Sequence, residues 1–282
     1  MKLHSMKATL VLMLALFSVV SFGQALKVPA PSPQQTIKQA FALSEISITY
    51  CRPSAKGRTV FGDVVQYGQI WRTGANGATT ITFGEDVTVE GKAIKAGTYA
   101  IYSIPNKESW DIMLYSDLEL GGNVGEYNKE KEVARFAVKA RPLAESVETF
   151  TINVADQSSN TASIEMSWEK TRVSFRVEAD IDSKIMKNIE SAVIKDNKPY
   201  YQAASYYYEN NKDLNLALEW INKAVANNPN AYWVHMLKAK IQFKAKDTKG
   251  AKETALKVVE LAKADGDDAY VRMAEKLIAE IK

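Results

Sequence analysis

The chain has 282 residues, enough for two ordinary domains, and its 46% hydrophobic and 24% charged residues are those of a folded protein rather than a disordered one. The formal net charge of +3 includes Lys2 and Lys7, which lie in a segment expected to be removed, so neither nucleic acid nor an anionic membrane is implied as a partner. Cys51 is the sole cysteine, which excludes an intramolecular disulfide and leaves the core to hold the fold without a covalent staple.

Residues 1–23 have three parts: a basic start with Lys2, His4 and Lys7, an almost unbroken apolar run over 8–20, and Ser21-Phe22-Gly23 with small residues at both ends. This is the pattern of a secretory signal peptide cut between Gly23 and Gln24. As a helix the apolar run is only about 20 Å long, short of the roughly 30 Å of a bilayer core. The expectation is export, to the periplasm or beyond, with no stable membrane insertion after cleavage. Residues 24–35 carry Pro29, Pro31 and Pro33 and no periodicity, and read as an extended lead-in.

From 36 to 180 the dominant pattern is alternation. Ile46, Ile48 and Tyr50 point one way while Ser47, Thr49 and Cys51 point the other, the period of a half-buried strand. The same period recurs over 79–83, 87–89, 98–104, 111–115, 135–139, 149–154, 162–168 and 172–177. Turn chemistry separates these runs at Glu90-Gly91, Lys95-Ala96-Gly97, Pro105-Asn106-Lys107, Ser158-Ser159-Asn160 and Glu169-Lys170. About nine or ten short strands with hairpin-length connections predict an antiparallel sandwich or barrel-like domain. Residues 118–132 break the pattern, and with Gly121, Gly122 and Gly125 close together they read as a mobile loop.

From 181 to 282 the period is helical. Tyr201, Ala204, Ser205, Tyr208, Ala217, Ile221, Ala224 and Pro229 fall at spacings similar to the tetratricopeptide signature, and Asp213-Leu214-Asn215-Leu216-Ala217 is echoed 34 residues later by Asp247-Thr248-Lys249-Gly250-Ala251. The second copy is weaker, since Lys238 takes an apolar position and Trp233 lies out of phase. With an opening helix near 182–195 and a closing one near 268–281, about five or six helices are expected. The fold class is thus α+β with two domains, an antiparallel sandwich or barrel followed by an α-helical tetratricopeptide-like hairpin array.

The block Tyr50-Cys51-Arg52-Pro53-Ser54-Ala55-Lys56-Gly57-Arg58, followed by Phe61-Gly62, Tyr67-Gly68-Gln69-Ile70-Trp71-Arg72-Thr73-Gly74-Ala75-Asn76 and Ala78-Thr79-Thr80-Ile81, resembles the family known as domain of unknown function 2911. Gly97-Thr98-Tyr99-Ala100-Ile101-Tyr102-Ser103-Ile104-Pro105 and Trp168-Glu169-Lys170-Thr171 continue the likeness, which covers roughly residues 31–177. Many members carry a small polar residue where this chain has Cys51. The resemblance implies exported bacterial proteins, some with a helical-repeat tail, and a sandwich-like fold; it implies no activity.

His235 is the one histidine outside the leader and lies in the helical region, so the β region has none for a Ser-His-Asp or Cys-His mechanism or for a zinc site. No phosphate-cradling glycine motif is present, and neither a cofactor, a metal nor a catalytic residue is assigned. Asp63, Glu85, Asp86 and Asp111 are carboxylates that nothing in the sequence pairs. The foremost candidates form the cluster Arg52, Lys56, Arg58 and Arg72, interleaved with Tyr67, Trp71 and Asn76. Guanidinium forks hold anions at two points and aromatic rings offer faces to sugars. If these loops converge they make an anion- or glycan-binding pocket, with Arg72 at its centre; otherwise the arginines bridge loop carbonyls and the rings are core. Cys51 reads as an inert buried thiol beside Tyr50, or else as a reactive one. Tyr200, Tyr201 and Tyr208 are candidates for lining a peptide groove for a protein partner. Three functions follow as expectations: a non-enzymatic envelope binding module, a carboxylate-dependent hydrolase or lyase acting on an envelope glycan, and a purely structural envelope protein.

Overall fold

A computed structural model describes residues 28–193 and 199–281; the expected leader at 1–23 and the start of the lead-in lie outside the described residues. The chain divides into two compact units, Met1–Ala179 and Asp180–Lys282.

Among the described residues the first unit contains ten strands: β1 Gln34–Phe41, β2 Ser44–Cys51, β3 Thr79–Phe83, β4 Val87–Val89, β5 Lys92–Ile94, β6 Gly97–Pro105, β7 Ser109–Tyr115, β8 Glu132–Lys139, β9 Arg141–Ala155 and β10 Thr161–Glu178. They form a six-stranded sheet in the order β1-β2-β3-β6-β7-β8 and a four-stranded one in the order β5-β4-β10-β9, antiparallel throughout and with no closed barrel. The apolar parity of each strand turns inward. Ile46, Ile48, Ile81, Phe83, Ile101 and Leu114 from the larger sheet face Phe150, Ile152, Ile164, Met166, Phe175 and Val177 from the smaller, all at most 2% exposed. Each such side chain contributes about 1.5–3 kcal/mol by leaving water. Ring pairs cross between the sheets: Tyr50 meets Phe150 edge-on at 5.8 Å, and Phe136 meets Phe175 at 5.3 Å.

Three local features differ from the sequence reading. Strand β1 begins at Gln34, inside the expected lead-in; its inward residues Gln35, Ile37 and Gln39 are only half-buried, so an edge strand with two glutamines on its core face shows little alternation. The expected turn at Glu169-Lys170 is a bulge within β10, with Glu169 at φ 50° and register shifts on either side. It turns the Glu169 carboxylate onto the backbone N–H of Val60, which it accepts at 3.0 Å. Third, the interval 118–132 does not stand off the sheet: Leu120, Val124 and Tyr127 pack on the outer face of β6 and β7 against Ala100, Tyr102, Met113 and Tyr115.

The second unit has six helices among the described residues: α1 Asp182–Val193, α2 Tyr200–Glu209, α3 Leu214–Asn227, α4 Tyr232–Lys244, α5 Thr248–Asp265 and α6 Asp268–Glu280. Asp213 and Asp247, one repeat period apart, cap α3 and α5 by accepting the free N–H groups of Asn215 and Leu216 and of Gly250. Ala203, Ala204, Ala217, Ala251, Ala255 and Ala274 are at most 1% exposed and let neighbouring helices approach, while Tyr207 and Trp220 fill the wider gap edge-on at 4.8 Å. Lys238 is half-buried and Trp233 remains 42% exposed.

The Tyr50 hydroxyl ties the open edge of the sandwich, donating to Gln35 Oε1 at 2.9 Å and accepting the Ile152 N–H at 2.9 Å. Tyr50→Phe leaves that buried N–H without a partner and should cost about 1–3 kcal/mol in denaturant unfolding, with faster hydrogen exchange at Ile152. Unchanged stability and exchange would show that the hydroxyl ties nothing.

Candidate functional site

The motif-rich connection from β2 to β3, residues 52–78, first runs along the edge of β9. Ser54 bridges to Thr149, the Ala55 N–H donates to Glu148 O at 2.8 Å and the Phe150 N–H donates to Pro53 O at 2.8 Å. Arg52 clamps this run, its Nε donating to Phe150 O at 3.2 Å and its Nη2 to Thr151 Oγ1 at 2.9 Å. Arg58 closes its own turn, donating from Nε to Ala55 O and from Nη2 to Ser54 O, both at 2.9 Å. Lys56 sits at the turn with φ 51°, its N–H held by Glu148 and its side chain exposed.

The connection then enters the core. Phe61 and Val65 are buried, and the Tyr67 ring lies so close over Gly62 that a Cβ there would meet it at 2.8 Å. Trp71 bridges to Ser103 of β6 and stacks on Trp168 at 6.0 Å, with Trp110 and Phe150 edge-on at 5.9 and 5.2 Å; its Nε1 donates to Gly74 O at 3.0 Å. Arg72 follows, and its Nη1 donates to Asn76 O at 2.8 Å. A Cβ at Gly122 would sit 2.4 Å from Asn76 O and 2.6 Å from Arg72 Nη1, so these groups are in close contact with the 118–132 interval.

The seven predicted residues therefore do not gather in one pocket. Arg52, Lys56 and Arg58 are placed along β9 of the smaller sheet, Trp71 is half-buried against the core rings, Tyr67 covers Gly62, and Arg72 with Asn76 reaches the outer face of the larger sheet. The four carboxylates are likewise dispersed. Glu85 accepts the Leu43 N–H at 3.0 Å, Asp86 pairs with Lys95 at 2.8 Å, Asp111 lies 3.3 Å from Arg135, and Asp63 is exposed.

What Arg72 does reach is a tyrosine cluster that sequence reasoning missed. Tyr115 and Tyr127 stack at 4.7 Å, and Tyr102 meets each of them edge-on at 5.3 Å. Tyr102 Oη donates to Gly121 O at 2.8 Å, Tyr115 Oη accepts the Asn128 N–H at 3.1 Å, and Tyr127 Oη donates to Glu132 at 3.0 Å. Burial, with neighbouring Tyr115 and Asp117, pushes the Tyr102 phenol up to about 12 against the opposing charge of Arg72. A salt bridge from Lys131 to Asp117 joins the ends of the covering segment. The signal was present in the sequence: Tyr99-Ala100-Ile101-Tyr102 and Ile112-Met113-Leu114-Tyr115 are apolar on both parities, as in a strand buried on both faces.

Two concavities are lined by candidate residues. On the outer face of β2 and β3 a groove of about 540 Å³ is lined by Gln34, Thr49, Cys51, Asn76 and Thr80 among others. Cys51 is half-buried there, on the face opposite Tyr50 rather than beside it in the core. In the second unit a groove of about 570 Å³ is lined by α2, α4 and α6 through Tyr208, Met236, Phe243 and Met273 together with Lys240, Lys244 and Lys276. Lys244 Nζ is 4.6 Å over the Tyr208 ring and donates to Asn211 Oδ1 at 2.7 Å. Of the tyrosines expected to face a partner, Tyr208 lines this groove, Tyr200 packs under Lys223 of α3, and Tyr201 is half-buried with its phenol pushed up by that burial and by Tyr270. His235 hydrogen-bonds the Pro229 carbonyl at 2.8 Å.

The tight seat of Gly122 is directly testable. Gly122→Ala must displace Asn76 or Arg72 and should lose about 1–3 kcal/mol, whereas Gly77→Ala on the adjacent turn meets no atom within 4 Å and should fall within about 0.5 kcal/mol of wild type. Equal unfolding midpoints for the two variants would contradict the packing.

No curated protein and no solved structure matches the chain. A family model described as protein of unknown function (DUF2911) matches residues 32–177, which take in every strand of the first unit except the last residue of β10. With more than half of its length inside that match, the chain belongs to the DUF2911 family.

Proposed function

We propose that the protein is a non-enzymatic binding module of the cell envelope whose helical unit docks an acidic, partly apolar segment of a protein partner. The observation that carries this reading is the groove of α2, α4 and α6. Met236, Phe243, Met273 and Leu277 form its apolar floor, three lysines surround it, and Glu280 is its one carboxylate among the described residues. Lys240 and Lys276 have no ion-pair partner among the described residues. Lysine stems cover apolar surface while their ammonium groups stay in water. An incoming segment therefore buries its apolar side chains on the floor and sets carboxylates against the rim. The exposed pairs add only about 0.2–1 kcal/mol each; their larger effect is on encounter rate and on the choice between partners of opposite charge. The leader pattern of residues 1–23 supports placing this activity outside the cytoplasm.

Fluorescence anisotropy tests the reading with a labelled peptide that alternates Glu with Leu and Phe, beside the same peptide carrying Lys for Glu. The acidic peptide should bind, weaken as salt is raised, and lose about tenfold or more in affinity, about 1.4 kcal/mol, to the double variant Lys240→Glu, Lys276→Glu, provided circular dichroism shows the helices intact. Equal binding of the two peptides, or of wild type and variant, would remove the groove as the docking surface.

A further inference from the structure

We propose that the groove on the outer face of β2 and β3 is a binding site for a small neutral sugar. It lies in the first unit and is independent of the docking surface on the helical unit. Its floor is the row of outward residues Thr49, Cys51, Ala78 and Thr80; one wall is the segment through Ser32 and Gln34, the other the turn carrying Asn76 and Gly77. Among the described residues no Lys, Arg, Asp or Glu lines it. An ion entering would give up hydration with no opposite charge to replace it, which selects against charged ligands. The side chains present are hydroxyls and amides, which both donate and accept, and those of Ser32, Gln34 and Thr80 make no hydrogen bond within the described residues. A sugar hydroxyl, also donor and acceptor, is the matching chemistry. The volume of about 540 Å³ falls within the range of about 300–1,000 Å³ typical of small-molecule pockets.

The turn that forms the second wall is held in a costly conformation. Thr73 is fully buried at φ 54°, and Asn76 has φ 62°. Such backbone costs on the order of 1–3 kcal/mol per residue and persists only where its surroundings over-determine it. Here Thr73 Oγ1 is 2.9 Å from Ser103 Oγ, the Thr79 hydroxyl donates to Thr73 O, and Arg72 Nη1 holds Asn76 O. The residue that the sequence placed at the centre of the cluster thus becomes a positioning residue: Arg72 fixes the backbone of Asn76, whose side chain stands at the rim and reaches across to Ser32 O at 3.5 Å.

Cys51, the sole thiol of the chain, reports occupancy from the floor of the groove. The rate of its alkylation by iodoacetamide, read by mass spectrometry on the intact protein, is compared alone and with N-acetylglucosamine, glucose, glucosamine or glucuronate. At about ten times its dissociation constant a bound sugar leaves roughly one site in ten free and slows alkylation about tenfold. At least one of the two neutral sugars is expected to do this, and neither the cationic nor the anionic one. In Thr80→Val the protection should vanish, while the sugar-free alkylation rate and the melting temperature stay as in wild type. The proposal is overturned if neither neutral sugar slows the reaction, if the charged sugars slow it as much, or if Thr80→Val keeps full protection.

Discussion

Ring packing between the two sheets is the constraint on which the β unit depends. Phe61, Trp71, Trp110, Phe150 and Trp168 meet one another at centroid distances of 4.9–6.3 Å, and no disulfide is available to share the task. Offset and edge-on aromatic pairs add about 0.5–1.5 kcal/mol each beyond the area they bury. Two of the five rings, Phe61 and Trp71, come from the connection 52–78 rather than from a strand. That connection is core material, and it must be held in place for the core to close. The polar side chains of the motif serve that end: Arg52 pins the connection to β9, Glu169 fixes Val60 from the bulge in β10, and Tyr67 covers Gly62.

From this follows a division of labour. Guanidinium groups bonded to the chain's own carbonyls have fewer donors to offer a ligand, so the surfaces with unspent chemistry lie beside the motif and in the other unit. The groove over Thr49, Cys51 and Thr80 keeps neutral donors and acceptors, and the groove of α2, α4 and α6 keeps lysines over an apolar floor. The two differ in charge and polarity, and the ligands proposed for them differ accordingly. The tyrosine cluster under residues 118–132 is of a third kind. Its hydroxyls are all engaged, and it ties the covering segment to the sheet.

Much of the fold was legible because period and parity are local properties. Strands β2, β3 and β4 follow from alternation in consecutive residues, and the helices of the second unit from the switch to a helical period. What was not legible depends on distant partners. Strand β1 shows little alternation because Gln35 and Gln39 occupy its inner parity, and Gln35 is accommodated there by the Tyr50 hydroxyl. Glu169-Lys170 has the composition of a turn, and only the continuous partner β9 makes it a bulge. Of the candidate site, residue types and neighbourhood were readable but convergence was not. Arg52 and Arg72 are separated by the connection that folds between them, and whether guanidinium groups face a ligand or a carbonyl depends on where Phe150 and Asn76 lie. Alternation put Cys51 on the face opposite Tyr50, but that this face leaves the thiol half-buried in a groove depends on the distant residues Gln34 and Asn76.

The most direct measurement of the central claim, that the motif arginines clamp the core, is the unfolding free energy of Arg52→Lys. Lysine keeps the charge but cannot reach Phe150 O and Thr151 Oγ1 together as the guanidinium does. If the clamp holds the connection in place, the variant should lose about 1–3 kcal/mol, and the tryptophan near-ultraviolet signal of the first unit should disappear at lower denaturant. An unchanged midpoint would mean that the connection is held without Arg52, and that its guanidinium is free for a ligand after all.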